Sequence, residues 1–563
     1  IAAPHHLPSS LWHSPVGASP RDRPPRRAAR LHQRSQGTLV RLARAARAVR
    51  RRVRGVAPDA ARRARAPASG TIRVSGRAVP RRVLVLGCGS ISQCTVPLLI
   101  DGLALDPRSI TVVDFVDNRA RVADAIRRGV TYQQDRLTRD NMDAFLSARV
   151  SSGDLILDLA WDIKTSEILS WCREHGVRYL NTSVELWDPY TGMAEAHPLD
   201  RTLYVRHQEI RKMIAAWGDN RGPSAVVEHG ANPGLVSHFT KQALTEIATR
   251  VLREGRAGSR QSAIESALAD GRFNELAMLS GTRVIHVSER DTQISSVPKR
   301  PNEFVNTWSV MGFYEEGITP AELGWGTHER WMPGNAHAHA DDGPCNQICI
   351  AQPGMETTVR SWVPFGEILG MVIRHGEAYT ISHHLTVRDA AGKAVYRPTV
   401  HYAYCPADAA INSVHELRMR NWQMQDAQRI LSDEIVSGID ELGVLLLGHD
   451  FTGWWTGTRL SIDEARRLVP GQNATTLQVA ASVIAATKWM IEDPECGVCV
   501  PDDLPWARVL ADAAPYLGEI WSGATDWDPL RTRNELFPGF GNTGRLDPTD
   551  PWQFRNFLVP TPS

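Results

Sequence analysis

Trp308 and Glu316 stand eight positions apart in "FVNTWSVMGFYEEG", residues 304–317, with Asn306, Tyr314 and Glu315 around them. An indole face beside a carboxylate suits a cation: an ammonium gains about 0.5 to 2 kcal/mol over the ring and more from a charge-assisted hydrogen bond. Alone, the pair reads equally as a packed aromatic with solvated neighbours, set in a short loop or strand turn. Further acids fall where acids are uncommon. Glu289 lies in "VIHVSERDTQ", Glu377 in "MVIRHGEAYTIS" beside His375, and Asp440 in "SGIDELGVLL", each in or next to an apolar, strand-like run. Taken one at a time these are helix caps or rim charges.

A second constellation precedes them. "VLVLGCGSISQCTVPLL" begins at Val83 as a four-residue apolar strand, a glycine turn and a helix-like segment. Gly87 and Gly89 let backbone approach a pyrophosphate, whose charge the following helix N-terminus at Ser90 and Ile91 stabilises. The third fingerprint position is Ser92 rather than Gly. Asp114 ends the next strand, "SITVVDF", where a carboxylate would hold an adenosine ribose and repel a 2'-phosphate, so the spacing favours NAD over NADP. "DLILDLAWD" and "VRYLNTS" read as further strands, separated by the helix "KTSEILSWCREHG" with Gly176 at its end. Such alternation predicts an α/β fold: a Rossmann-like doubly wound parallel sheet, followed by a second mixed α/β substrate domain. The expected cofactor contacts lie along the strand ends: Gly87, Gly89, Ser90, Ile91, Asp114, Asp162, Thr182 and, in the turn "GANPGL", Asn232 and Pro233.

The elements that must position these residues divide the chain into four parts. Residues 1–80 carry 18 Arg, no Lys and 2 acidic residues, so the remainder holds 46 basic against 60 acidic residues although the whole chain is only +2. This Arg-rich extension lacks the apolar content for a core and is expected to be disordered. It reads as a transit segment, a basic arm or an extension without function; no aromatic interleaving or binding motif accompanies the charge, so no nucleic-acid partner is expected. Residues 81–230 form the nucleotide domain, 231–445 the substrate domain, and 446–563 a segment returning to the nucleotide domain through "NATTLQVAASVIAATKWMIED", a capped apolar helix from Asn473. No 18-residue apolar run is present, so no membrane partner is expected. Eight cysteines in 563 residues make no disulfide framework and imply a cytoplasmic location. The single CxxC, Cys496 to Cys499, has no second pair, so no metal site is expected.

Six strings, "SERDTQ", "FVNTWSV", "AELGWGTHERWMP", "LTVRDAAGKAVYRPTVHYAY", "GIDELGVLL" and "DPWQFRNFLV", resemble the bacterial homospermidine synthases of the saccharopine-dehydrogenase-like group, across about residues 82 to 558. The resemblance implies an NAD-dependent homodimer that converts two putrescines to sym-homospermidine and ammonia through imines, with the cofactor regenerated in each cycle. It implies that Trp308 engages substrate at the pocket entrance and that Glu316 helps bind and pass the amine. Glu289, His375, Glu377 and Asp440 match the inner pocket that anchors a terminal ammonium; Asn232 and Glu185 match positions near the nicotinamide. Of these, Glu316, Trp308, Glu289, His375 and Asn232 are the expected catalytic set.

That chemistry suits these residue types. The reacting amine must be neutral before hydride leaves its carbon, and a carboxylate or His375 can take its proton. Saccharopine or carboxynorspermidine dehydrogenases are the alternative; their carboxylated substrates call for Arg or Lys in the pocket, whereas the matched positions are Glu, Asp and Trp. A non-catalytic NAD-binding regulator acting through the basic arm would have no use for the carboxylates.

Overall fold

The computed structural model describes residues 79–559 except 194, 341–342 and 534–545, so the disorder expected for the Arg-rich extension falls almost wholly outside the described residues. The Val-Leu-Val-Leu run forms strand β1, Val83–Leu86, buried at every residue. Val83 and Val85 pack into one apolar layer and Leu84 and Leu86 into another, which is why all four positions are apolar rather than alternating. Around β1 lie β2 (Ile110–Asp114), β3 (Thr131–Gln134), β4 (Leu155–Asp158), β5 (Arg178–Asn181) and β6 (Ala225–Val226), in the order β6-β5-β4-β1-β2-β3. All pairings in this sheet are parallel. The chain reverses its winding between β1 and β4, and the crevice at their carboxyl ends is where such sheets bind ligands.

A seventh strand, Val498–Cys499, pairs with β6 at the sheet edge. It arrives from helix Ala474–Glu492, which packs on helix Ser90–Asp101 beside β1. Alanines 480, 481, 485 and 486 are fully buried there and allow the two helices a close approach.

The second sheet has 11 strands and is mixed. Its centre is Val284–Asp291, parallel to Thr399–Cys405 on one side and antiparallel to Ile439–Leu447 on the other. A division after residue 445 would cut the last of these strands, which continues the sheet into Gly453–Ser461 and Glu519–Thr525. Period-two alternation sends Val287, Glu289 and Asp291 to one face together with Tyr402, Tyr404 and Asp440. His286, Ser288 and His401 face the other way, where Trp455 donates its indole N–H to Ser288.

Two local expectations are corrected. "FVNTWSVMGFYEEG" is not a loop or strand turn: after the strand Glu303–Asn306, a helix runs from Val310 to Ile318. Ser309 caps it by accepting the Gly312 N–H at 3.0 Å, and Val310 and Phe313 bury one face. Glu377 likewise opens a helix, Glu377–His384, rather than lying in a strand.

Asn473 caps helix Ala474–Glu492 by accepting the Thr476 N–H, while its amide donates to the carbonyls of Thr307 at 2.7 Å and Leu431 at 2.9 Å. Asn473→Ala removes a cap and strands two buried carbonyls, so the unfolding free energy should fall by about 2 to 4 kcal/mol in urea titration. A loss under about 0.5 kcal/mol would mean that water restores these bonds.

Candidate active site between the two sheets

A cavity of about 190 Å³ opens where the carboxyl ends of β4, β5 and β6 meet the polar face of the second sheet. It is lined from the first sheet by Ile91, Thr182, Glu185, Asn232 and Pro233, and from the second by Glu289, Trp308, Glu316 and His375. Nine of the residues singled out from sequence are therefore brought to one place. Thr475, at the start of helix Ala474–Glu492, also lines it.

His375 is the hub. Its Nε2 lies 3.1 Å from Glu316 Oε2 and its Nδ1 3.2 Å from Glu377 Oε1, so one imidazole is flanked by two carboxylates. Burial works against the imidazolium, but the two carboxylates override it and hold the ring well above the ordinary histidine range. Burial also raises Glu377, with His375 opposing. The Tyr402 ring packs 4.5 Å from His375, and its hydroxyl donates to Glu289 Oε2, which also accepts from the Asn232 amide at 2.9 Å. Both bonds fall on Oε2, and burial pushes the Glu289 carboxyl up to about 8.

Asp440 stands behind this layer and accepts from Thr475 Oγ1 at 2.6 Å. Burial, then the neighbouring Glu289 and Asp291, hold it well above the ordinary carboxylate range. Asp291 was missed from sequence, although its spacing of two from Glu289 on one strand predicts a shared face; it accepts from Gln293 and from Thr307 Oγ1 at 2.8 Å.

Trp308 is half-buried, its indole N–H donated to Tyr404 at 2.9 Å and its ring set over Gly312, where an added Cβ would lie 3.1 Å away. Trp161, 45% exposed, lines the same cavity from the nucleotide side. Next to it, Asp162 holds a left-handed backbone (φ 60°) and does not line the cavity; burial and Glu315 push its carboxyl up to about 6.

Two arginines in the wall, Arg206 and Arg374, were not foreseen. Both point at Glu315, at 2.9 Å and 2.6 Å, and Arg206 also donates to the Val184 carbonyl at 2.8 Å. Consecutive residues thus pair with consecutive residues, Glu315 with Arg374 and Glu316 with His375, clamping helix Val310–Ile318 to the 372–376 segment. Burial disfavours an ionised Glu315, but Arg374 and Arg206 hold it below the usual range. Glu185, on the same side, is pushed up to about 7 by burial and by Glu315.

Gly87, Gly89, Ser90 and Asp114 lie outside this cavity, at the β1–β2 edge. Gly87 has φ +83° and an added Cβ would sit 2.9 Å from the Leu159 carbonyl, whereas Gly89 has open space around it. Asp114 takes the Cys88 N–H at 2.7 Å and the Val116 N–H at 2.8 Å, so it also shapes the turn. An open Gly89 before a helix N-terminus, with a carboxylate at the tip of β2, fits a dinucleotide pyrophosphate and ribose. Among the described residues, no cluster of three or more His, Cys, Asp or Glu is arranged to hold a metal ion.

Comparison with known proteins agrees with this fold. Residues 83–226 match the saccharopine dehydrogenase NADP binding domain and residues 230–522 the saccharopine dehydrogenase C-terminal domain. Homospermidine synthase of Blastochloris viridis is 43% identical over 484 residues, 85% of this chain and 97% of the relative. That of Mesorhizobium japonicum is 40% identical over 85% of this chain and 96% of its own. The crystal structure of the Legionella pneumophila homospermidine synthase in complex with NAD superposes with a TM-score of 0.75 at 34% identity, covering 87% of this chain and 99% of that one. With two catalogued relatives matched almost end to end, and a fold that agrees with theirs, the chain belongs to the homospermidine synthase family of saccharopine-dehydrogenase-like proteins.

Proposed function

We propose that this protein is an NAD-dependent homospermidine synthase, joining two putrescines with loss of ammonia. The observation that carries the reading is the cavity wall: Glu289, Glu316 and Glu185 beside Trp308, at the carboxyl edge of a dinucleotide-binding sheet. The two arginines do not favour a carboxylated substrate, because both are directed at Glu315 and at backbone carbonyls. NAD would be held by the Gly87–Ile91 turn, Asp114 and the strand-end residues Thr182, Asn232 and Pro233, and would supply reversible hydride acceptance at an amine-bearing carbon.

The chain's residues divide the remaining work. Trp308 and Glu316 receive the ammonium at the mouth. Glu289, with Oε2 occupied by Tyr402 and Asn232, keeps Oε1 to take a proton from the amine that must become neutral. His375, charged between two carboxylates, holds a proton at Nε2 that can pass through Glu316 to departing ammonia. Asp440, Asp291 and Glu377 lie behind as buried carboxyl groups whose ionisation an ammonium at the far end would favour. The eight free cysteines support a cytoplasmic location, and the family resemblance supports a homodimer, which sedimentation would test.

Purified protein given putrescine should need NAD only in catalytic amount and yield sym-homospermidine by mass analysis; stoichiometric NADH without a coupled product would replace the synthase with a simple amine dehydrogenase.

Trp308→Phe and Trp308→Ala should both lower kcat/KM for putrescine, Ala more than Phe, and Glu316→Gln by roughly 10- to 100-fold, with little change in melting temperature. Unchanged kinetics in both Trp308→Ala and Glu316→Gln would place the amine elsewhere.

The raised Glu289 carboxyl sets a pH dependence. Its proton stabilises the ligand-free fold fully below the ordinary 4.5, and that contribution is lost as pH rises through about 8. The parent should therefore lose more stability across this window than Glu289→Gln. An ammonium favours the ionised carboxylate, so putrescine affinity should rise over the same window; a flat affinity measured by calorimetry would remove Glu289 from the binding site.

A further inference from the structure

Glu228 follows β6 and carries a left-handed backbone, φ 60°, unusual for a residue with a long side chain. The conformation is held by Asn181, whose side-chain oxygen accepts the Glu228 N–H at 2.8 Å. It sends the carboxylate into the wall of the cavity, where the residue is only 2% exposed. On one side lies His207, with Nε2 2.9 Å from Glu228 Oε2, itself buried on helix Leu203–Ala216. On the other side lies Gly376, between His375 and Glu377. Gly376 has φ −63°, which any residue adopts, so its lack of a side chain answers to space: an added Cβ would lie 1.8 Å from Glu228 Oε2.

Glu377, next along, is 1% exposed; its Oε1 faces His375 Nδ1 at 3.2 Å, and its Oε2 has no hydrogen-bond partner. Glu228 and Glu377 are close enough for the charge of one to raise the carboxyl of the other. The 376 turn thus holds two buried acceptors side by side with fewer donors than oxygens. Anions are repelled from such a place, and an ammonium brings three donors and a positive charge.

We propose that Glu228, backed by His207, is a further carboxylate of the amine pocket, seating an ammonium of the diamine together with Glu377 across Gly376. The proposal rests on the diamine reading above and adds a residue to it. It also gives the left-handed turn after β6 a purpose: a glycine there would relieve the backbone but remove the carboxylate.

The test uses the full-length protein loaded with NAD and titrated calorimetrically with putrescine, alongside steady-state kinetics and a separate NAD titration. Glu228→Gln keeps the shape and removes the charge; putrescine binding should weaken and KM rise by about 10- to 100-fold, with NAD affinity within about twofold and melting temperature close to the parent. Glu228→Asp, charged but one methylene shorter, should fall between the two, and it carries the test if the Gln variant does not fold. Putrescine affinity unchanged in either folded variant overturns the proposal. So does a loss confined to NAD affinity, which would assign Glu228 to the cofactor. A parent protein that binds NAD but no putrescine would instead overturn the diamine reading itself.

Discussion

A carboxylate withdrawn from water has to meet a cation, gather hydrogen-bond donors or take up a proton, because the bare ion in an apolar setting costs several kcal/mol. This pocket uses all three solutions at once. Glu315 meets arginines, Asp291 gathers donors from Gln293 and Thr307, and Glu289 and Asp440 are driven toward protonation. Only the last solution is reversible on arrival of a ligand. The site is therefore a reservoir of negative charge held back by protons, which an incoming ammonium can displace.

That constraint explains the layout of the second sheet. Acids on two adjacent strands can share one face only if the opposite face is apolar enough to hold the sheet together, and Trp455, Leu445 and Ala403 lie in the buried cluster on that side. It also explains why His375 sits where it does. A single imidazole between Glu316 and Glu377 links the mouth of the cavity to its interior, so the charge at the entrance and the charge inside cannot change independently.

The nucleotide sheet was legible in the sequence because parallel strands buried on both faces appear as short continuous apolar runs; Gly87 and Asp114 mark strand ends, and Gly176 closes the helix between two strands. The helix after Trp308 was not: nine residues containing Gly312 and Gly317, with four aromatics in the surrounding stretch, carry little helical propensity, and only the Ser309 cap and the spacing of Val310 and Phe313 betray it. Trp308, Glu316, Glu289 and His375 could be named from short strings. Arg206, Arg374 and Glu228 could not, since what matters in each is a partner far along the chain: Glu315 for Arg206, or, for Glu228, the bare Cα of Gly376. Arg374 reaches back 59 positions to the same Glu315.

The helix Ala474–Glu492 joins parts of the molecule that the order of the chain keeps far apart. Its first turn offers Thr475 to the cavity between the sheets, its body covers the helix that follows the glycine turn, and the strand after it completes the nucleotide sheet. A gene fragment ending near residue 230 would encode the glycine turn and Asp114 and yet lack an edge strand and one wall of its own core. The nucleotide lobe is thus not a transplantable module: its folding waits on the last quarter of the chain, and a ribosome must finish nearly the whole protein before either lobe is complete.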